Sequence, residues 1–172
     1  LWTCVRHAML TQDKQWLASQ WDKLSRTIDN IHSLRERTLT NEFPEDDGLI
    51  PPGFIDGGLE GGDKQPEYSN TVWKLSGMKA MITAADWLGK KENAKKWRKE
   101  YDDFYAAFRK AAARDLAVDD FGNKYLNNMM KPEQRSLPQR AQWAFCQSIY
   151  PGQIFDIGDS IAVGTMRMLE ST

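Results

Sequence analysis

The sequence predicts an all-α protein of antiparallel helical hairpins with one small β-hairpin near residues 116–126. Apolar residues recur every three or four positions through several long stretches, which is typical of amphipathic helices. Short turns join the helices within each pair, so paired helices should run antiparallel. Because the pairs recur roughly every 50 to 70 residues, we expect a solenoid or a closed toroid rather than a four-helix bundle.

Composition narrows the classes of partner. Lys and Arg total 23 and Asp and Glu total 24, which gives a formal net charge of -1 in 172 residues. The basic residues are interleaved with acids, so the sequence offers no concentrated positive charge that would bind a nucleic-acid backbone. No apolar run approaches the roughly 20 residues of a membrane span. Cys4 and Cys146 lie in apolar helical patterns, which favours buried free thiols over a disulfide or a metal pair. We expect neither a metal nor a cofactor.

The first two helices are predicted at residues 1–10 and 14–37. Thr11-Gln12-Asp13 interrupts the first apolar pattern with residues that favour a helix N-cap. The second helix keeps one apolar face for more than four turns, formed by Leu17, Trp21, Leu24, Ile28, Ile31 and Leu34.

The next two helices follow a glycine-rich stretch. One apolar stripe runs from Val72 to Leu88 and ends at Gly89, where a C-cap glycine is favoured. The other runs from Ala94 to Ala112 after a short turn, and its aromatic face should pack on the preceding helix. The alternating, turn-centred segment 116–126 predicts the β-hairpin.

Two shorter helices are predicted near the C-terminus. Residues 141–149 carry a helical pattern that ends at Tyr150-Pro151-Gly152. Asp159 is a candidate cap for a last helix that reaches Leu169. The first helix has no cap before it and the last has no C-cap glycine after it. We therefore expect residues 1–172 to be one partial domain that packs against the rest of its own longer chain.

The stretch 46–70 differs from the helices around it. It contains six of the twelve glycines and three of the seven prolines, so it cannot be the interior of a helix. Leu49, Ile50, Phe54, Ile55 and Leu59 give it apolar anchors that a disordered linker would lack. A long anchored loop between regular helices favours a functional site.

Several stretches together resemble the six-hairpin glycosidase superfamily. They are Asp13-Lys14-Gln15-Trp16-Leu17, Gly48-Leu49-Ile50-Pro51-Pro52-Gly53 with Asp56-Gly57-Gly58, Tyr68-Ser69-Asn70-Thr71-Val72-Trp73-Lys74-Leu75-Ser76-Gly77, and Ala84-Ala85-Asp86-Trp87-Leu88-Gly89. The resemblance implies an (α/α)6 toroid, of which this chain would supply about half of the hairpins. It also implies hydrolysis of glycosidic bonds with inversion. Exported relatives make an extracytoplasmic location an expectation by analogy alone.

Inverting hydrolysis needs an acid and a base whose carboxyl groups lie about 6.5 to 9.5 Å apart. The resemblance places the acid in the long loop, where the candidates are Glu60, Asp56 and Asp63. Glu60 and Asp56 have apolar neighbours that can raise a pKa and glycines that admit a ligand, whereas Asp63 lies beside Lys64. Each acid could equally be solvated or bonded to loop amides. The base is expected beyond Thr172.

Candidate sugar-binding residues flank the loop and begin a later helix. Aromatic rings can stack on a sugar, and hydroxyl or amide groups can hydrogen-bond it. These candidates are Phe54, Tyr68, Asn70, Trp73 and Trp143, although Trp73 fits the core equally well. The leading hypothesis is an inverting glycoside hydrolase. The alternatives are a non-catalytic carbohydrate-binding relative and a helical-repeat interaction scaffold.

Overall fold

The computed structural model describes residues 1–40, 47–53, 64, 66–130 and 146–171. The prediction of a mostly helical chain with a small antiparallel β element is confirmed for these residues. In chain order the elements are α1 (Trp2–Thr11), α2 (Lys14–Thr38), α3 (Tyr68–Trp87), α4 (Lys91–Arg114), β1 (Leu116–Val118), β2 (Lys124–Leu126) and α5 (Ser160–Glu170).

The α1–α2 hairpin turns where the sequence predicts. Gln12 follows α1 in the left-handed conformation, with φ of 57°. The Asp13 carboxylate then accepts a hydrogen bond from the backbone N–H of Trp16 at 2.8 Å, so Asp13 is the N-cap of α2. The predicted apolar face of α2 is buried except for the partly buried Leu34.

The α3–α4 hairpin is also confirmed. Gly89 turns the chain in the left-handed region with φ of 72°, and the N–H of Lys90 bonds the carbonyl of Ala85 at 2.8 Å. Phe104 and Phe108 on α4 are fully buried, and the ring of Phe108 meets the ring of Tyr68 edge-on at 5.8 Å. The aromatic face of α4 therefore packs on α3, as predicted.

Helix α3 is the central element of the described fold. It contacts α1, α2 and α4, and twelve of its residues, on several sides of the helix, are buried. Helices α2 and α4 also meet directly, because the rings of Trp21 and Trp97 lie 5.3 Å apart. Helix α3 is thus largely enclosed along its length, and only part of its surface is open to a ligand.

The small sheet pairs Leu116 with Leu126 and Val118 with Lys124 in an antiparallel register. Its turn is closed by Asp119, whose carboxylate accepts hydrogen bonds from the backbone N–H groups of Phe121 and Asn123. Helix α5 packs against β2. The Asp159 carboxylate caps α5 by accepting from the N–H of Ile161 at 2.9 Å, as predicted.

The helix predicted at 141–149 ends earlier than the sequence suggests. Cys146 is helical, whereas Gln147 to Gly152 form turns, and residues 141–145 lie outside the described residues. The carbonyl of Gln147 accepts from the N–H of Gly152 at 2.9 Å, and the carbonyl of Ser148 accepts from the N–H of Ile154 at 3.1 Å. Because the turns that follow use these carbonyls, Ile149 is not part of a helix.

Candidate functional site

The chain that enters α3, at residues 66–68, meets the chain that leaves β2, at residues 128–130. The N–H of Met130 bonds the carbonyl of Pro66 at 2.8 Å, and the N–H of Tyr68 bonds the carbonyl of Asn128 at 2.9 Å. Glu67 and Met129 form an antiparallel bridge. The chain that leads into α3 and the chain that leaves β2 therefore run side by side at one end of the helical body.

The start of the glycine-rich stretch is held by a buried arginine. Arg35 is 5% exposed, and its Nε donates to the carbonyl of Gly48 at 2.8 Å. The Thr38 hydroxyl donates to the carbonyl of Arg35 and lies 3.1 Å from the carbonyl of Leu49. Leu49 is fully buried and Ile50 nearly so, which confirms these two apolar anchors. Residues 47–50 are thus fixed against α2.

The Arg35 guanidinium also reaches α4. One terminal nitrogen donates to the Asp103 carboxylate at 2.8 Å, and the guanidinium carbon lies 4.4 Å from the centre of the Phe104 ring. A planar cation can bond a carbonyl, pair with a carboxylate and stack on a ring at the same time. Arg35 therefore joins α2, α4 and residues 47–50.

A second polar cluster lies where α3 begins and α4 ends. The Tyr68 hydroxyl donates to the Asp115 carboxylate at 2.7 Å, and Arg114 donates to both oxygens of that carboxylate at 2.6 and 2.7 Å. Arg114 also lies 3.8 Å from the Asp47 carboxylate. Burial first, and then the bond and charge of Asp115, raise the pKa of the Tyr68 hydroxyl well above its usual value. Tyr68 therefore stays neutral and acts as a hydrogen-bond donor.

The predicted sugar-binding residues on α3 occupy different environments. Tyr68 is 2% exposed, and its hydroxyl is bonded to Asp115, so its side chain supports the fold and offers no open surface. Asn70 and Trp73 are both partly exposed. Residues three apart on a helix share a face, and Lys74 continues the same partly exposed strip. Asn70 and Trp73 are therefore accessible together.

Gly53 brings the loop backbone close to Asn70. A Cβ at Gly53 would lie 3.1 Å from the Asn70 amide nitrogen, which is closer than ordinary van der Waals contact. A side chain at this position would displace the amide. The absence of a side chain at Gly53 thus lets the Pro51-Pro52-Gly53 segment pass directly over the first turn of α3.

The remaining predicted site residues lie outside the described residues. These are the three candidate acids and two candidate sugar-binding aromatics: Glu60, Asp56, Asp63, Phe54 and Trp143. Asp159, which the sequence predicts to be a helix cap, serves as the cap and also pairs with Arg109 at 2.6 Å. Asp159 is therefore committed to the structure.

Sequence reasoning missed the arginines and the buried acids that surround the first turns of α3. Arg35 follows Ile28 and Ile31 at helical spacing, so it occupies a position on the apolar stripe of α2. A charged residue on such a stripe indicates a buried ion pair or hydrogen bond. No comparable signal exists for Tyr68 and Asp115, which lie 47 positions apart.

Among the residues that the structure describes, no group of three or more His, Cys, Asp or Glu side chains is arranged to hold a metal ion. Nor does any described helix combine the length and the apolar character needed to cross a lipid bilayer. Cys4 and Cys146 are free, partly buried thiols.

Comparisons with protein-family models, with curated proteins and with solved structures find no match to this chain. The candidate site is therefore interpreted from its own residues and from the sequence resemblance.

Proposed function

We propose that this protein is a glycoside hydrolase that cleaves an oligosaccharide or polysaccharide by inverting acid–base catalysis. The observation that carries the proposal is the position of Asn70 and Trp73. Both are partly exposed on one face of α3, directly after a long glycine-rich stretch that contains the candidate acids. An amide and an indole on one face offer a hydrogen bond and a stacking surface, which together suit a sugar ring.

The proposal includes a division of roles. Glu60 or Asp56 would protonate the leaving oxygen, with Asp63 as the third candidate, because an acid among glycines and apolar residues can keep its proton near neutral pH. Phe54 and Trp143 would add aromatic surface to the site. The helical hairpins would form part of an (α/α)6 toroid, completed by further chain that also supplies the base.

The test is hydrolysis of a panel of glycosides by the intact protein. Inversion is checked by following the anomeric configuration of the first product by NMR. The amide variants Glu60→Gln, Asp56→Asn and Asp63→Asn should then be compared with the parent. We expect one of them to lower turnover about 100-fold or more while sugar binding survives, because the amide keeps the shape and removes the proton.

The exposed Glu92 on α4 provides a control, because Glu92→Gln removes a carboxylate from the opposite end of the α3–α4 hairpin. Turnover should not change in that variant. Full activity in all three loop variants would reject the assignment of the acid. Sugar binding without hydrolysis would favour a non-catalytic carbohydrate-binding protein. If the protein neither binds nor hydrolyses sugars, an interaction scaffold is favoured.

The sugar contact is tested with two tryptophans of the same helix. Trp73→Ala should weaken binding of the substrate about 10-fold or more, because a stacked indole covers a large apolar area. Trp87→Ala is the matched control, since Trp87 is also partly exposed but lies about 21 Å further along α3. Equal affinities in the two variants would remove Trp73 from the site.

A further inference from the structure

A small cavity lies between the first turn of α3, the chain that leaves β2, and α5. Its volume is about 10 Å³, and its lining residues are Tyr68, Ser69, Val72, Leu126, Asn127, Asn128, Ser148 and Thr165. Every one of these residues is buried. The cavity is therefore distinct from the partly exposed strip that contains Asn70 and Trp73.

Three polar groups that line this cavity have unused hydrogen-bonding capacity. Ser69 is 2% exposed and Asn127 is 1% exposed, and neither the Ser69 Oγ nor the Asn127 Oδ1 has a partner among the described residues. The Thr165 hydroxyl accepts a long bond of 3.4 Å from the N–H of Leu126, but its own proton reaches no acceptor in the described part of the chain. Three residues that line the cavity, from three separate segments, thus each carry a polar group with unused bonding capacity.

Their chemistry defines what the occupant must do. The Asn127 amide nitrogen donates to the carbonyl of Met129 at 2.9 Å, which fixes the orientation of the amide and leaves Oδ1 as an acceptor only. The Thr165 hydroxyl has a proton to donate, and the Ser69 hydroxyl can donate or accept. The occupant must therefore donate and accept at the same time.

The volume of the cavity and the number of hydrogen bonds on offer both indicate the occupant. A buried water molecule needs about 10–15 Å³ of free volume and typically makes about three hydrogen bonds. A water here would donate to Asn127, accept from Thr165 and complete its bonding with Ser69. A sugar ring is far too large, and a metal ion cannot accept a hydrogen bond from Thr165.

We propose that this cavity is a binding site for one structural water molecule, which joins α3, the segment after β2, and α5. Buried polar groups are rarely left without partners, and ordered water is the usual solution when no protein group is near. The site does not depend on the proposed enzymatic function. It would fix the α3 end of the helical body to the C-terminal part of the chain.

The direct test is a high-resolution crystal structure of the protein. We expect one density peak within hydrogen-bonding distance, about 2.7–3.2 Å, of Ser69 Oγ, Asn127 Oδ1 and Thr165 Oγ1. An empty cavity would overturn the proposal. A peak that refines as a metal ion, with contacts shorter than those of a water, would also overturn it.

A pair of variants tests the same site in solution. The Oγ of Ser25 on α2 is likewise buried and has no partner in the described part of the chain, but Ser25 does not line the cavity. Ser25→Ala should leave Tm unchanged or raise it, because it removes an unpaired hydroxyl from a helix. Ser69→Ala should lower Tm by about 2–4 °C, because it breaks a bond to the water. A rise in Tm for Ser69→Ala that matches Ser25→Ala would contradict the proposal.

Discussion

Arg35 shows how one buried cation can fix the start of the glycine-rich stretch. Its side chain is almost completely buried, while that of its carboxylate partner, Asp103, is 75% exposed. The two ends of the guanidinium therefore lie in different environments. The bond to the carbonyl of Gly48 is shielded from water, whereas the ion pair with Asp103 is solvated and contributes little.

This difference makes a testable prediction. Arg35→Met keeps most of the apolar stem but leaves the Gly48 carbonyl without its donor, so it should cost about 1–3 kcal/mol of unfolding free energy. Asp103→Ala should cost less than about 1 kcal/mol, because water can replace an exposed carboxylate. Urea denaturation of both variants measures the difference. A larger loss for Asp103→Ala would reverse this account of Arg35.

The packing of α5 on β2 depends on the absence of a side chain at Gly164. A Cβ at Gly164 in α5 would collide with the carbonyl oxygen of Lys124 in β2. The helix and the strand therefore approach each other closely through the glycine. A glycine in the interior of a helix has an intrinsic cost of about 1 kcal/mol relative to alanine, which this close contact offsets.

Gly164→Ala should destabilise the protein by about 1–3 kcal/mol, because the backbone of the strand must move to admit a methyl group. Gly77→Ala in α3 is the matched control. The three atoms nearest to a Cβ at Gly77 all belong to the Leu1 side chain, the closest at 3.1 Å, and that side chain can shift more easily than a strand backbone. Thermal unfolding should show a clear loss for Gly164→Ala and little change or a gain for Gly77→Ala. Equal effects would contradict the close contact between α5 and β2.

The contribution of the β1–β2 turn to stability should depend on pH, because the Asp119 carboxylate closes that turn. Partial desolvation tends to raise the pKa of its carboxyl, but bonds from Asn123, Phe121 and Ser171 outweigh this effect, and the pKa lies below its ordinary value of 3.8. A depressed pKa in the folded protein means that the carboxylate contributes stability above the unfolded-state value. That contribution is lost as the pH falls through the folded-state pKa.

Asp119→Asn should therefore be less stable than the parent near neutral pH, and the difference should shrink below about pH 4. Urea denaturation at a series of pH values gives this comparison. Asp102→Asn is the control, because Asp102 is an exposed residue of α4 outside the turn. A constant difference between Asp119→Asn and the parent across the series would show that the charge of Asp119 is not used.

The helix boundaries were predictable where local chemistry sets them. Asp13, Gly89 and Asp159 are each recognisable from their neighbours, and each occupies its predicted capping position. The end of the helix before Tyr150 was misjudged because the turn bonds of Gln147 and Ser148 compete with the helical pattern. Sequence periodicity carries no information about such bonds.

The candidate site was less predictable because distant segments build it. The sequence proposes Asn70 and Trp73 from their place after a glycine-rich stretch. The pairing of Pro66 and Met130, 64 positions apart, could not be found this way. Local patterns fix the elements, whereas the positions at which the loops meet depend on how the helices pack.

The buried apolar side chains of the described residues form two clusters of unequal size. The main cluster joins α1 to α4, includes most of the fully buried side chains, and also contains Leu126 of β2 and Ile161 of α5. The second contains only Ala117, Tyr125 and Met168, with Leu169 packed beside them. Most of the burial that resists unfolding therefore lies around α3, whereas the other face of the β1–β2 hairpin and the end of α5 share only the small second cluster.

This division predicts unequal resistance to local opening. The amide protons of residues 75–82 in α3 should exchange only through opening with nearly the full unfolding free energy, because three helices cover them. Those of residues 117–125 and of residues 165–170 in α5 should exchange through openings of lower free energy and weaker denaturant dependence, since few apolar contacts must be broken. Native-state hydrogen exchange at increasing urea concentrations separates the two groups. Convergence of both groups on a single opening reaction at all urea concentrations would show that the two clusters unfold together and that the small cluster is a continuation of the main core.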